Sequence, residues 1–148
     1  MSADPFFDSN VLLYLVSGDQ ARANRAEALL AGGGTISVQV LNEMSSVALR
    51  KFGMDWQQVE TLLEPVRRQC SIEPLTEATY DLGCWLAGRH GFSVYDAMIV
   101  ASALLAGAGM LYSEDMHHGL EVEGRLQICN PFRSRFVQEG GTMVEGGC

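Results

Sequence analysis

Residues 6–16, FFDSNVLLYLV, contain a pattern that recurs along the chain. Phe6 and Phe7 form a short apolar run, which predicts a buried strand ending at Asp8. The apolar residues from Val11 to Val16 follow at once and predict a helix that ends at Gly18. A short strand followed directly by a helix is the unit from which α/β domains are built.

The same alternation continues as far as residue 129. Further strands are predicted over residues 35–36, 71–74, 110–112 and 126–129, and helices over 21–31, 40–53, 55–66, 76–89 and 95–106. Strands that alternate with helices predict an α/β domain with a mostly parallel sheet. Residues 133–148 are rich in glycine and aperiodic, so we expect a loose tail there.

Length and composition exclude several classes of protein. A chain of 148 residues forms one domain, and 47% hydrophobic with 19% charged residues excludes global disorder. No apolar run reaches the roughly 18–20 residues of a membrane span. The N-terminus lacks the features of a secretory signal, so we expect a cytoplasmic protein. A net charge of −8 argues against a simple phosphate-binding protein.

Asp8 and Asp96 lie at the ends of apolar elements, and a charged residue in either position needs an explanation. Asp96 is the only charged residue in the apolar stretch 95–106, and a carboxylate on a buried helix costs several kcal/mol unless it is paired or binds metal. Asp8 ends a predicted strand, where ligands of parallel α/β sheets bind. Helix capping explains each acid equally well, since Ser93 precedes Asp96 by three residues and Asp8 precedes a helix.

Two further acids are weaker candidates. Asp115 follows the strand 110–112, and alternation predicts that Ser113 and Asp115 point one way and Glu114 the other. Glu43 lies at the edge of the apolar stripe of its helix, beside Val40. A solvated turn acid and an ordinary boundary glutamate remain the simpler interpretations of Asp115 and Glu43.

The combination is more informative than any single acid. Two acids at strand ends, one at the start of an apolar helix and one at a stripe edge can converge on one cleft. Four carboxylates together repel one another, and a hard divalent cation relieves that repulsion. Such a site activates water and neutralises charge on a phosphodiester.

Four motifs resemble, in order and spacing, those of the PIN-domain ribonucleases, with VapC-type toxins of toxin–antitoxin pairs as the closest branch. They are FFDSN at 6–10, VLNEM at 40–44, YDAMIVA at 95–101 and LYSED at 111–115, followed by NPF at 130–132. The resemblance implies a PIN domain over residues 1–132, folded as a three-layer α/β/α sandwich with a central, mostly parallel sheet. Residues 133–148, expected from their composition to be a flexible tail, have no counterpart in the resemblance.

The resemblance also implies a site and an activity. Asp8, Glu43, Asp96 and Asp115 would be the catalytic acids, with Asp8, Asp96 and Asp115 holding Mg²⁺ or Mn²⁺ and with Asn10 and Ser113 in support. Ser9 and Ser113 stand where the family often has threonine, which keeps the hydroxyl. The implied activity is cleavage of RNA, and the implied partners are a cognate antitoxin and a second copy of the chain.

Two other functions remain as alternatives. One is a PIN fold that binds RNA or a partner without cutting. The other is a phospho-acceptor receiver domain, which needs a lysine near its acids, whereas the only lysine here is Lys51 within a helix. Three groups of basic residues are candidate contacts for the RNA backbone, although ordinary surface charge is the simpler reading. They are Arg50 with Lys51, Arg67 with Arg68, and Arg125 with Arg133 and Arg135.

Overall fold

A computed structural model describes residues 4–136 and 143–145, with backbone alone for 134–136 and 143–145. The strands are β1 (Phe6–Phe7), β2 (Gly34–Ser37), β3 (Cys70–Glu73), β4 (Met110–Tyr112), β5 (Glu121–Val122), β6 (Leu126–Cys129), β7 (Ser134–Phe136) and β8 (Met143–Glu145). The α-helices are α1 (Ser9–Leu12), α2 (Gln20–Ala31), α3 (Val38–Arg50), α4 (Trp56–Gln69), α5 (Glu77–His90) and α6 (Val94–Leu105), and a short 3₁₀ helix covers Leu13–Val16.

The main sheet has six strands in the order β3-β2-β1-β4-β6-β5. All neighbouring pairs are parallel except β5 with β6. Phe6 and Phe7 are fully buried on the two faces of the central strand β1, as expected for a strand covered by helices on both sides. Gly34 allows this packing, because a Cβ there would lie 2.7 Å from the Pro5 carbonyl oxygen.

The helices form two groups. Helices α1 to α4 contact one another, whereas α5 packs along α6, which also contacts β2 and β4. Side-chain caps start the longer helices where the sequence predicts them, with Asp55 before α4, Thr76 before α5 and Ser93 before α6. The predicted three-layer α/β/α fold with a mostly parallel sheet is confirmed.

The structure departs from the sequence predictions in three places. The two-residue strand β5 was not predicted, because so short an element leaves no periodic pattern. Helix α4 includes Pro65 as predicted but ends at Gln69, three residues beyond the predicted end at residue 66. Pro65 faces solvent, so the carbonyl of Thr61 that loses its partner can be hydrated. The first two residues of α6 are exposed despite the apolar sequence of the helix, with Val94 57% and Tyr95 73% accessible.

The expected loose tail falls partly outside the described residues. In its described part, β7 and β8 pair as an antiparallel two-stranded sheet. The boundary at residue 132 and the flexibility of 133–148 therefore stay predictions. Among the described residues, no helix has the length and apolarity needed to cross a membrane.

Candidate active site

The candidate site lies beyond the carboxyl ends of β1 and β4. The chain runs from β1 to β2 and β3 on one side and then places β4 on the other side of β1, so the strand order reverses between β1 and β4. Such a reversal opens a crevice in which α/β proteins bind ligands. Asp8 follows β1 and Ser113 follows β4, and the Asp8 amide donates to the Tyr112 carbonyl at 2.9 Å.

Asp8 is 4% exposed and receives three kinds of donor. Its Oδ1 accepts from the Ser9 amide at 2.8 Å, so it does cap α1. Its Oδ2 accepts from the Ser113 hydroxyl at 2.8 Å and from Asn10 Nδ2 at 3.3 Å. Burial, opposed by these hydrogen bonds and reinforced by the charges of Glu43 and Asp96, raises the pKa of Asp8 to about 7.

Glu43 projects from α3 toward the same place. Its Oε2 accepts a short hydrogen bond of 2.6 Å from the Ser9 hydroxyl, and its Oε1 accepts from Gln39 Nε2 at 2.8 Å. Gln39 Nε2 also donates to the Tyr95 carbonyl at 3.0 Å, which ties α3 to the first turn of α6. The two carboxylate oxygens are therefore held by Ser9 of α1 and by Gln39 of the same helix.

Asp96 lies in the first turn of α6 and is half-buried. Ser93 caps the helix by accepting from the Asp96 amide at 3.2 Å. Burial is the main cause that raises the pKa of Asp96, and the charges of Asp115 and Glu43 add to it, while the Ser93 hydroxyl lowers it. The Asp96 carboxylate thus lies within electrostatic reach of two other candidate acids.

The segment after β4 sends its side chains in different directions. Ser113 is fully buried and donates to Asp8, while Glu114 accepts at Oε1 from the Tyr14 hydroxyl at 2.8 Å. Asp115 is exposed and raises the pKa of Asp96 by its charge. The other Glu114 oxygen, Oε2, is buried without a hydrogen-bond partner among the described residues.

The predicted site residues lie together, and sequence reasoning missed some of their supports. Asn10 bridges the site, since Nδ2 donates to Asp8 and to Ser113 Oγ at 3.4 Å while Oδ1 accepts from the Glu114 amide at 3.1 Å. Gln39 was missed, although its position four residues before Glu43 on one helix was a usable signal. The Ser9–Glu43 bond joins residues 34 apart and left no local signal.

The donor set suits a hard divalent cation in chemistry and charge. All four acids offer carboxylate oxygens, and burial first, with repulsion from the neighbouring acids added to it, raises the pKa of Asp8 and of Asp96. As placed, no three acidic, histidine or cysteine side chains within the described residues are arranged to hold one ion. Shared binding of an ion therefore needs rotation of the less buried Asp96 and Asp115, or contacts through water, which Mg²⁺ commonly keeps.

Solved structures similar to this one include the following three. The first is VapC20 of Mycobacterium tuberculosis, a toxin that cleaves the sarcin-ricin loop, with 22% identity over 75% of this chain and 89% of that chain and a TM-score of 0.62. The second is a toxin–antitoxin complex from Klebsiella pneumoniae, with 21% identity over 88% of this chain and 98% of that chain and a TM-score of 0.64. The third is VapBC2 of Rickettsia felis bound to a DNA fragment from their promoter, with 16% identity over 85% of this chain and 98% of that chain and a TM-score of 0.61. At these identities the likeness shows a shared fold.

Sequence comparison gives the family. No curated protein sequence matches the chain significantly. The profile of the PIN domain family matches residues 6–118, which is well over half of the chain and runs from β1 past Asp115. The matched span contains all four candidate acids and the topological switch between β1 and β4. This chain therefore belongs to the PIN domain family.

Proposed function

We propose that this PIN domain is a divalent-metal-dependent endoribonuclease that hydrolyses RNA phosphodiester bonds. The observation that carries the proposal is Asp8, a buried carboxylate at the carboxyl end of the central strand with its pKa raised to about 7 and with Glu43 and Asp96 close enough to repel it. A fold under stability selection alone has no reason to keep such an arrangement.

Each side chain has a separate task in this proposal. Asp8, Asp96 and Asp115 would hold Mg²⁺ or Mn²⁺, and the bound ion would supply charge neutralisation and an acidified water. Ser113 and Asn10 fix the Asp8 carboxylate through their hydrogen bonds. Glu43 is oriented by Ser9 and Gln39, which places a proton acceptor at the edge of the cluster.

The biological role that we propose is that of a toxin inhibited by an antitoxin. The support is the shared fold with VapC20 and with the two toxin–antitoxin complexes. We also propose a homodimer. An exposed apolar patch beside the acids supports a protein interface. It includes Leu75, Tyr80, Val94 and Tyr95.

The test of the activity is cleavage of a labelled RNA with Mg²⁺, with Mn²⁺ and with EDTA. Asp96→Asn is expected to slow cleavage more than about 100-fold, since loss of even an outer-shell partner of a metal costs about 10–100-fold. The matched control is Asp81→Asn, the same chemical change at an exposed site on α5, which is expected to cleave as the unchanged chain does.

Two results would overturn the proposed nuclease activity. One is cleavage by Asp96→Asn at the unchanged rate. The other is RNA binding that persists in EDTA with no cleavage of any RNA under any metal, which would assign the chain to the PIN domains that bind without cutting. Growth arrest on expression of the unchanged chain, but not of Asp96→Asn, is the expected result for a toxin.

A further inference from the structure

A small pocket of about 230 Å³ lies between the start of α2 and the segment that follows β6. Arg22 and Arg25 line it from α2, and Arg133 lines it from the other side. Asp19 is the one acid among the lining residues, so positive charge is in excess there. A local excess of positive charge in a chain of net charge −8 indicates an anionic ligand.

The Arg22 guanidinium is held in a fixed position. Its Nη1 lies 2.7 Å from Asp19 Oδ2, and its Cζ lies 5.5 Å from the centre of the Tyr14 ring and 5.9 Å from that of Phe132. A planar guanidinium that is already ordered by a carboxylate and two rings loses little further entropy when it binds an oxyanion.

The other two arginines keep donors for a ligand. Toward the described residues, the Arg25 side chain donates only through Nε, to the Pro131 carbonyl at 3.3 Å. Arg133 is exposed, and its side chain makes no hydrogen bond or ion pair with any residue that the structure describes. Guanidinium groups with free terminal nitrogens suit the paired oxygens of a phosphate.

A short chain of contacts joins this pocket to the acids. Tyr14 carries Arg22 on its ring, and its hydroxyl donates to Glu114. The Glu114 amide donates to Asn10, which donates in turn to Asp8. The pocket is therefore connected to Asp8 through Tyr14, Glu114 and Asn10, and it lies beyond the carboxyl end of β6 as the acids lie beyond those of β1 and β4.

We propose that the arginine pocket of Arg22, Arg25 and Arg133 binds a backbone phosphate of single-stranded RNA next to the bond that the acids cut. This inference rests on the proposed function. Its position next to the acid cluster favours RNA over an acidic protein segment as the occupant. The arginine pocket would let an acidic chain bind RNA without depending on metal alone.

The test measures binding of a fluorescein-labelled single-stranded RNA in the Asp96→Asn background, where cleavage does not interfere. The variant is Arg25→Gln with Arg133→Gln. Arg133→Gln alone guards against a folding defect, since that side chain has no hydrogen bond or ion pair to lose within the part of the chain that the structure describes. The control is Arg67→Gln with Arg68→Gln, which removes the same charge from the exposed end of α4. These two residues directly precede the amino end of β3, at the edge of the parallel sheet opposite to the acids, so the structure does not support them as candidate RNA contacts.

The pocket double variant is expected to bind RNA about 10-fold more weakly, equal to about 1.4 kcal/mol. Its slope of log affinity against log salt is expected to fall by about 0.7 per lost phosphate contact. The control is expected to keep both values. The proposal is overturned if the pocket variant keeps wild-type affinity for RNA and wild-type salt dependence. It is also overturned if a decaglutamate peptide binds at the pocket without displacing RNA from either protein.

The two proposals fail separately. If the unchanged chain cleaves no RNA with any metal while its RNA affinity still depends on Arg25 and Arg133, the nuclease is refuted and the phosphate site stands. If the chain cleaves RNA and the arginine variants bind and cleave it as well as the control does, the phosphate site is refuted and the nuclease stands.

Discussion

Asp8 and Glu123 are both acids of the same domain, and their surroundings differ in every respect that matters for charge. Asp8 is buried among other carboxylates, and burial first, then the charges of Glu43 and Asp96, raise its pKa to about 7. Glu123 lies near the end of α5, where it contacts His90 Nε2 at 2.9 Å and Arg89 Nε at 3.0 Å. The hydrogen bond from His90, and then the charges of Arg89 and His90, lower the pKa of Glu123.

The comparison separates two uses of a carboxylate. The surroundings of Glu123 favour its charged form, so this charge adds to the free energy of unfolding. The surroundings of Asp8 oppose its charged form, so the fold tolerates this charge at a cost in stability. A costly charge at the topological switch of the sheet, held by Ser113 and Asn10, supports the proposal that Asp8 is kept for a ligand.

The largest effect is expected for Asp8→Asn. The amide keeps the size of the side chain and removes the charge, so the free energy of unfolding at pH 8 in EDTA is expected to rise, by at most about 4 kcal/mol for a shift of about three pKa units. Urea unfolding of the two proteins measures the difference. Cleavage of RNA by this variant is expected to fall by more than about 100-fold.

A less stable Asp8→Asn protein would contradict the comparison. The companion variant Ser113→Ala separates packing from charge, because it removes the hydroxyl that lowers the pKa of Asp8. It is expected to lower stability while Asp8→Asn raises it.

The second prediction concerns pH. The folded-state pKa of Asp8, about 7, lies above its unfolded value of 3.8. Between these two pH values the folded protein therefore binds more protons than the unfolded protein, so the free energy of unfolding falls as pH rises through about 7. In EDTA, the stability advantage of Asp8→Asn is expected to shrink by roughly half between pH 8 and pH 5. Adding Mg²⁺ at pH 8 is expected to stabilise the unchanged chain more than the variant. An advantage that is constant over this pH range would show that burial does not raise the pKa of Asp8.

Local signals in the sequence predicted most of the fold. The strand–helix alternation and the caps Asp55, Thr76 and Ser93 depend on neighbours within three or four residues, and the structure places them accordingly. The strand β5 was missed because two residues carry no period. The exposure of the first two residues of α6 was missed because apolar composition does not reveal which face lacks a cover.

The site was less predictable, because its contacts join distant parts of the chain. The element positions of Asp8, Glu43, Asp96 and Asp115 allowed the four acids to converge on one cleft. Their separate roles, as metal ligands or as further catalytic acids, came only from the resemblance to PIN ribonucleases. Capping and clustering proved compatible at Asp8, whose two oxygens serve the helix and the site separately. The arginine pocket could not be predicted, because Arg25 and Arg133 are far apart in sequence. Only the fold brings Arg25 against the Pro131 carbonyl, next to Arg133.

The smallest effect is expected for Glu123→Gln, which tests the other half of the comparison. This carboxylate is accessible to solvent, so loss of its ion pairs is expected to lower Tm by no more than a few degrees at neutral pH, and less at high salt. Its folded-state pKa is lowered, so its contribution is present above its unfolded value of 4.5 and is lost as pH falls through the folded value. Thermal unfolding at neutral and at acid pH measures this, and RNA cleavage is expected to stay unchanged. If Glu123→Gln slowed cleavage, or stabilised the fold as Asp8→Asn is expected to do, charge environment would no longer distinguish a carboxylate kept for a ligand from one that stabilises the fold.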